Sequence, residues 1–291
     1  MTTGPLRNAR DLQALAYLAA QALLVAWQWR YGFHALAWGA TLFLAVGTSV
    51  VHHNHAHLPM WRGRALNRAT DLVLTLLQGH PTCILHPTHN RNHHRHRHGA
   101  RDAMRTWRFG DHNHLAGWVL HPLLAAWAVY PLALSWLRGV ARRAPGAAHW
   151  YALQYALWLG SWTLLLWLDA GKALLLVIVP QLFGLHWLLS ANYLQHAHAD
   201  DGHPHGHARN FERGWLNPLL FNIGLHTAHH AHGRAHWSEL PRLHARLRAR
   251  VPAALLEPTL SGYVVRVFFL APLLAPLFPS LRSRSLRAAA P

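Results

Sequence analysis

Long apolar segments alternate with polar, histidine-rich segments along the chain. Four apolar segments, at about residues 12–29, 33–51, 148–168 and 172–190, are long enough to cross a bilayer, which takes about 20 residues of α-helix. We expect the first two to form a hairpin around Gly32 and the second two to form a hairpin around residues 169–171. The pattern predicts an all-α integral membrane protein with four transmembrane helices.

Two further apolar segments are predicted not to cross. Residues 115–137 contain Pro122 and Pro131, and proline interrupts a straight helix. A crossing here would also place histidines 196–230 on the opposite side of the membrane from histidines 53–94, so we predict a re-entrant or interfacial helix. Residues 263–279 contain Arg266 and several prolines, which favours an interfacial tail. One membrane domain, 1–279, is then followed by a basic, disordered tail, 280–291.

The charge of the chain fits this topology. Lysine and arginine number 27 against 10 acidic residues, a net charge of +17, which by itself is typical of nucleic-acid binding. Within the two hairpin turns, however, only Arg30 and Lys172 are basic. The positive-inside rule therefore places both termini and a histidine-rich cap in the cytoplasm. We expect a bacterial inner-membrane protein surrounded by membrane lipid, with no nucleic-acid partner.

The 28 histidines concentrate in runs at residues 51–57, 86–98 and 222–233, with a further patch at 192–198. Side chains three or four positions apart share a helical face. His53 and His57 have this spacing, as do His226, His229 and His230, and the set His89, His93 and His94 is also able to converge. Because imidazole is the commonest side-chain metal ligand, the runs predict a many-histidine metal centre at the ends of the membrane helices.

Other residues narrow the kind of centre. The single cysteine, Cys83, excludes an intramolecular disulfide and a cysteine-based zinc or iron–sulfur site. The chain has no Glu-x-x-His pair, which excludes a soluble-type di-iron carboxylate bundle. We expect the histidines outside the boxes to be solvated or interfacial, although His52 offers the first box an alternative register. The acids considered for orienting imidazoles are Asp71, Asp200 and Asp201.

The boxes resemble those of a known superfamily. HNHAH (53–57), HNRNHH (89–94) and HTAHH (226–230) are similar to the three histidine boxes of the membrane fatty acid desaturases and hydroxylases, and NYLQH (192–196) is similar to the segment that supplies their extra histidine. The similarity covers about residues 40–245. It implies a non-haem centre of two iron ions with O2 as co-substrate. The implied ligands are His53, His57, His89, His93, His94, His196, His226, His229 and His230, with Asn222 as a possible water-mediated ligand.

The resemblance implies removal of two hydrogens from the acyl chain of a lipid, thioester or fatty acid. The second box is one residue longer than His-x-x-His-His and, like NYLQH, resembles the alkane hydroxylases. The alternative is therefore a hydroxylase of an alkyl, acyl or terpenoid chain. A metal-binding or transporting membrane protein is a third hypothesis, but transport favours ligands near the midplane. Because the chain has no haem-binding or iron–sulfur motif, electrons are expected from a ferredoxin- or rubredoxin-like donor with its reductase.

Overall fold

The computed structural model describes residues 4–109, 115–200, 202–274 and 276–281, which are mostly helical. The chain divides into two compact units, Met1–Pro87 with Pro131–Leu188, and Thr88–Tyr130 with Leu189–Pro291. Within the described residues the longer helices are α1 (Leu12–Tyr31), α2 (Ala35–His57), α3 (Arg64–Gln78), α4 (Leu115–Arg143), α5 (Pro145–Leu168), α6 (Ala170–His196), α7 (His226–Ala231), α8 (Leu240–Leu247) and α9 (Leu260–Leu274).

Shorter elements connect these helices. A π-helical segment, His86–His93, leads into one α-helical turn, His94–His96, and another single turn lies at Leu216–Leu219. The 3-10 turns are Ala9–Asp11, Thr82–Ile84, Thr106–Phe109, Trp237–Glu239, Arg248–Arg250, Ala253–Leu255 and Pro279–Leu281. Two strands, β1 (Asn210–Phe211) and β2 (Leu256–Glu257), pair in parallel within the second unit.

All four apolar segments that the sequence predicts to cross are helical. By length and hydropathy alone, three described helices could cross a membrane, namely α2, α4 and α6. α4 includes residues 115–137 and runs without a break through Pro122 and Pro131, so the expectation that these prolines interrupt the helix is wrong. Each proline removes one backbone hydrogen bond, while buried apolar side chains such as Ala125 and Ala133 still pack the helix.

Polar contacts hold the helices of the first unit in register. Gln28 of α1 donates to the Thr41 hydroxyl of α2 over 3.1 Å, and Thr48 of α2 donates to Gln21 of α1 over 2.5 Å. Buried polar groups need such partners because desolvation leaves them costly when unsatisfied. α6 approaches α2 closely at Gly184, where a Cβ would lie only 2.6 Å from the Ala45 carbonyl oxygen. These contacts fix the end of α2 that carries the first histidine box.

In the second unit, a buried arginine fixes the end of α6. The Arg209 guanidinium donates to the carbonyls of Leu194 and Ala197 over 3.1 and 3.0 Å and lies 4.3 Å from the Tyr263 ring centroid of α9. A cation at a helix C-terminus satisfies carbonyls that have no partner inside the helix. His196 therefore occupies a helix end that is held in place. The predicted disordered tail, residues 280–291, lies outside the described residues from 282 onward.

Candidate metal centre

The second histidine box lies on the π-helical segment and the turn after it. A π-helix bonds residue i to residue i+5, so one turn holds more residues than an α-helical turn. Residues four and five positions apart consequently share a face, which brings His89, His93 and His94 together. Ring centroids are 5.2 Å apart for His89 and His93 and 4.6 Å apart for His89 and His94. The extra residue in this box is accommodated by the wider turn.

The third box and the extra histidine come from two other helices of the same unit. His226, His229 and His230 lie on α7, and the rings of His226 and His230 are 4.6 Å apart. His196 is the last residue of α6, and its ring centroid lies 4.8 Å from that of His226 and 4.7 Å from that of His93. We call these seven residues the imidazole cluster: His89, His93, His94, His196, His226, His229 and His230.

Four members of the cluster have the spacing of ligands around one metal ion. One ring nitrogen from each of His93, His196, His226 and His230 lies within 4.8 Å of the others. Nε2 of His226 is 2.9 Å from Nε2 of His196 and 3.1 Å from Nε2 of His230. A metal–imidazole bond is about 2.1 Å long, so two ligands at a right angle are about 3.0 Å apart. The observed distances fit two ligands at a right angle, and they equally suit N–H···N hydrogen bonds between neutral rings.

The other three members form a second group. Nε2 of His94 lies 3.0 Å from Nε2 of His89 and 3.0 Å from Nε2 of His229. His94 also stacks on His230 of the first group, with centroids 4.3 Å apart and planes inclined by 17°. The two groups are therefore in direct contact through His94.

Hydrogen bonds to the opposite ring nitrogens orient two rings of the first group. Nδ1 of His93 is 2.7 Å from a carboxylate oxygen of Asp102, and Nδ1 of His196 is 2.6 Å from the His207 carbonyl oxygen. In each case Nδ1 is the donor, which leaves the Nε2 lone pair available for a metal. Nε2 of His93 is buried and has no hydrogen-bond partner among the described residues. The donor set thus fits a bound cation that favours imidazole, such as iron.

The sequence reasoning did not identify Asp102, which contacts the His93 ring. Asp102 is fully buried and also accepts the backbone N–H groups of His98 and Met104, both over 2.8 Å. Burial alone would raise the pKa of Asp102, but the His93 ring and these hydrogen bonds together hold the pKa well below its usual range. The only signal in the sequence is that Asp102 is the acid nearest to the second box.

The three acids considered from sequence have other surroundings. Asp71 accepts from the Thr82 hydroxyl and lies 3.7 Å from Nε2 of His55 in the first unit. Asp200 accepts the Gly202 backbone N–H, and Asp201 lies outside the described residues. Neither described contact is to the imidazole cluster. Sequence proximity to a histidine run was therefore a poor guide, because Asp200 follows the run at 192–198 and yet bonds within its own turn.

Two histidines expected to be solvated are instead buried beside the cluster. The His98 ring stacks on His196 at 5.2 Å and 24°, and the His207 ring lies 5.1 Å from His230. His98 adopts a left-handed backbone conformation, with φ of 71°, that turns the chain inward after the second box. That turn is held by the Asp102 carboxylate, so the inward position of His98 depends on a contact that spacing alone does not reveal.

Burial favours the neutral form of two histidines in this region. Burial is the main cause that lowers the pKa of His230 well below its ordinary value, and the adjacent His94 and His226 rings lower it further. Burial also lowers the pKa of His207 to about 3, with Arg97 as the next cause. Neutral imidazole is the form that binds metal, so His230 needs no deprotonation before it coordinates.

In the first unit, the histidines at the end of α2 differ in their partners. The His53 and His57 rings are 5.1 Å apart, as expected for residues four positions apart. His52 contacts the Gln78 carboxamide through Nδ1 and the Thr82 carbonyl through Nε2. Nδ1 of His55 accepts the Met60 backbone N–H over 3.2 Å. Because His52 already has protein oxygens at both ring nitrogens, the register with His53 and His57 is the better metal-binding face.

Asn222 does not share a helix with His226. It lies in the turn before α7 with φ of 57°, and its side-chain amide donates to the Trp237 carbonyl over 3.1 Å. Asn222 therefore does not lie on the helical face that carries His226. A contact through water remains a prediction, for which the Asn222 side-chain oxygen is the suitable atom.

Comparison with known families agrees with the geometry. The family model described as fatty acid desaturase matches residues 11–260. That match includes all three histidine boxes and the segment that ends at His196. The chain matches no curated protein and no solved structure.

Proposed function

We propose that this chain, which belongs to the fatty acid desaturase family, is an oxygen-dependent enzyme that removes two hydrogens from neighbouring carbons of an acyl chain. The observation that carries the proposal is the imidazole cluster, whose nitrogens have the spacing of metal ligands. Three helices are long and apolar enough to cross a bilayer. Together with the family, they support an integral membrane oxidoreductase.

We assign the histidines to two irons. The first iron takes His93, His196, His226 and His230. The second iron takes His89, His94 and His229 of the cluster. As the resemblance implies, it also takes His53 and His57 of the first box. Support for the assignment is that each group already has Nε2 atoms 2.9–3.1 Å apart. Asn222 is proposed to reach the second shell through water.

The chemistry needs a dry, neutral and rigid ligand set. Two bound irons would supply oxygen activation and the oxidation of the two C–H bonds. The chain contributes burial, since His93, His196 and His226 are at most 3% exposed. It also contributes orientation through Asp102 and the His207 carbonyl. Overall, O2, two electrons and two protons are consumed as the acyl chain loses two hydrogens and two waters form, so an external donor is required.

We propose four crossings, by α2 and α6, which meet the length and hydropathy criterion, and by α1 and α5, which contain 20 and 24 residues. α4 also meets that criterion but is proposed not to cross. Both termini and the histidines would then lie in the cytoplasm of a bacterium. His93 and His196 belong to one cluster, and α4, α5 and α6 lie between them in the chain. An even number of these three helices must therefore cross. Crossing by α5 and α6 meets this requirement and leaves only Arg30 and Lys172 as basic residues on the far side.

Labelling of introduced cysteines tests this topology. In the four-crossing arrangement, a membrane-impermeant maleimide applied to intact cells labels Gly171→Cys but not Gly146→Cys, because the α4–α5 connection is cytoplasmic. If α4 crosses, Gly146→Cys is labelled as well, which would contradict the proposal. Cys83 is buried and serves as the internal background.

A hydroxylase is the second candidate, and the second box favours it. This box has one residue more than His-x-x-His-His, and the π-helix carries that residue. Oxygen-18 gas separates the two reactions, because hydroxylation places the label in the product and desaturation places it only in water. An unlabelled product with a new double bond supports the desaturase. A labelled alcohol as the main product supports the hydroxylase instead.

Lipid profiling of expressing cells tests the activity itself. Wild type is expected to introduce unsaturated acyl chains that are missing from the empty vector. His229→Ala is expected to abolish them, and His52→Gln, which changes a buried histidine outside the proposed ligand set, is expected to retain them. If wild type and empty vector give the same profiles at equal protein levels, the desaturase proposal loses its main support.

A further inference from the structure

The surface that follows the second box is strongly basic. Residues 91–108 contain six arginines and one acid, Asp102, which is fully buried. Five of the arginines are exposed, namely Arg91, Arg95, Arg97, Arg101 and Arg108. Asp102 is occupied by His93 and two backbone N–H groups. The exposed charge of the segment is therefore entirely positive, and no acid within it neutralises that charge.

This basic surface is connected to the imidazole cluster by a short series of contacts. Trp107 is half-buried, and its indole N–H donates to the His98 carbonyl over 2.9 Å. The His98 ring stacks on His196, a proposed ligand. The Arg105 guanidinium lies 4.9 Å from the Trp107 ring centroid and donates to the Ala100 carbonyl, which holds the indole in place. Trp107 is thus connected to the first metal group through the backbone carbonyl and the ring of His98.

We propose that this arginine surface around Trp107, residues 97–108, is the docking site of an acidic one-electron redox protein. The inference rests on the proposed function, because that reaction consumes two external electrons. In each of two encounters, the reduced donor loses one electron to a ferric ion and leaves oxidised, and no bond forms or breaks. A positive surface speeds such an encounter and selects an acidic partner, and electron-transfer contacts are small enough for one segment to dominate.

Charge complementarity and proximity to the ligands favour a redox protein over the other anionic occupants. An anionic lipid surface or a phosphate-bearing acyl thioester would also be attracted to arginine. Neither would require a connection that ends on a metal ligand. A lipid surface or an acyl thioester as the occupant would give a different result in the binding measurements than a redox protein. Either result would contradict the proposal.

The test measures binding of a plant-type [2Fe–2S] ferredoxin, an acidic donor, to the iron-loaded protein in non-ionic detergent by calorimetry. The variant Arg97→Gln/Arg101→Gln/Arg108→Gln removes three charges and keeps side-chain length. We expect its Kd to rise by about tenfold or more, and the Kd of wild type to rise with salt while that of the variant changes little. The corresponding triple lysine variant should bind within about threefold of wild type, since the charge is kept.

The matched control is Arg213→Gln/Arg242→Gln/Arg246→Gln, which changes three exposed arginines of the same unit outside residues 91–108. It removes the same net charge and is expected to leave the ferredoxin Kd within about twofold of wild type, because rim charges act locally at moderate salt. An equal loss in both glutamine variants would overturn the proposal, since net charge would then explain it. An unchanged Kd in the surface variant would overturn it as well.

Two further measurements separate the rival occupants and the proposed function. If the surface variant binds ferredoxin normally but loses affinity for an acyl thioester, or for vesicles containing phosphatidylglycerol, the occupant is the substrate or the membrane and the proposal is wrong. Wild type reduced with dithionite, then mixed with O2 and substrate, tests the enzyme reaction without any donor. Product in this reaction, together with unchanged ferredoxin binding by the surface variant, refutes only the docking site. Absence of product in this reaction refutes the proposed function.

Discussion

Two sets of buried histidines in this protein have different partners. In the imidazole cluster, Nε2 of His196 faces the His226 ring, and Nε2 of His93 has no hydrogen-bond partner in the described part of the chain. Nδ1 of each ring is held by a carboxylate or carbonyl oxygen. At the end of α2, His52 has protein oxygens at both ring nitrogens. Burial is the same in both places. The two sets therefore differ in the partners of their ring nitrogens.

Removal of a ring from the imidazole cluster is expected to have the largest effect. His230→Ala deletes a proposed ligand, so we expect iron content to fall from two ions per chain to one or fewer. Turnover should fall by about three orders of magnitude or more, because loss of a ligand removes the metal. Elemental analysis and product formation measure both. Full iron content in this variant would show that His230 is not a ligand.

The next effect concerns the carboxylate that orients His93. Asp102→Asn keeps the shape but removes the negative charge and changes the hydrogen bond to Nδ1. We expect Fe(II) affinity to fall by about 10- to 100-fold, the range typical of such outer partners, as measured by anaerobic titration. Asp200→Asn, whose carboxylate accepts the Gly202 N–H, is the matched control. Equal affinity in the two variants would reduce Asp102 to a purely structural role.

A smaller effect tests the polar interior of the first unit. Burial raises the pKa of Asp71 from 3.8 to about 6. Because the folded pKa is raised, the stability contribution is complete below about pH 4 and is lost as pH rises to about 6. Asp71→Asn should therefore raise the free energy of unfolding by roughly 1–2 kcal/mol at pH 8 and have little effect near pH 4. Thermal unfolding at both pH values checks this, and a pH-independent difference would contradict it.

The smallest effect is expected at His52, which has protein oxygens at both ring nitrogens. His52→Gln changes a buried histidine outside the proposed ligand set, and glutamine can still hydrogen-bond to Gln78 or the Thr82 carbonyl. We expect iron content to remain at two per chain and the free energy of unfolding to fall by about 1 kcal/mol. Loss of one iron in this variant would mean that His52, in the alternative register, is a ligand.

The sequence predicted the helices and the histidine spacing, because both depend on local periodicity. All four predicted membrane segments are helical, and the second and third boxes do converge in one cluster. The sequence did not predict the contribution of Asp102, which depends on a left-handed turn at His98. We also expected a helix break at Pro122 and Pro131 from the sequence. The helix continues there, because its packing outweighs the lost backbone hydrogen bonds. Long-range contacts decide these cases, and a single sequence does not contain their geometry.

We propose that the histidine groups hold two iron ions. Anaerobic loading of the purified protein with Fe(II), followed by removal of loosely bound metal and elemental analysis, tests it most directly. We predict two irons per chain in wild type and also in His52→Gln, with at most one in His230→Ala. A wild-type stoichiometry of one or zero, or retention of zinc in preference to iron, would contradict the account.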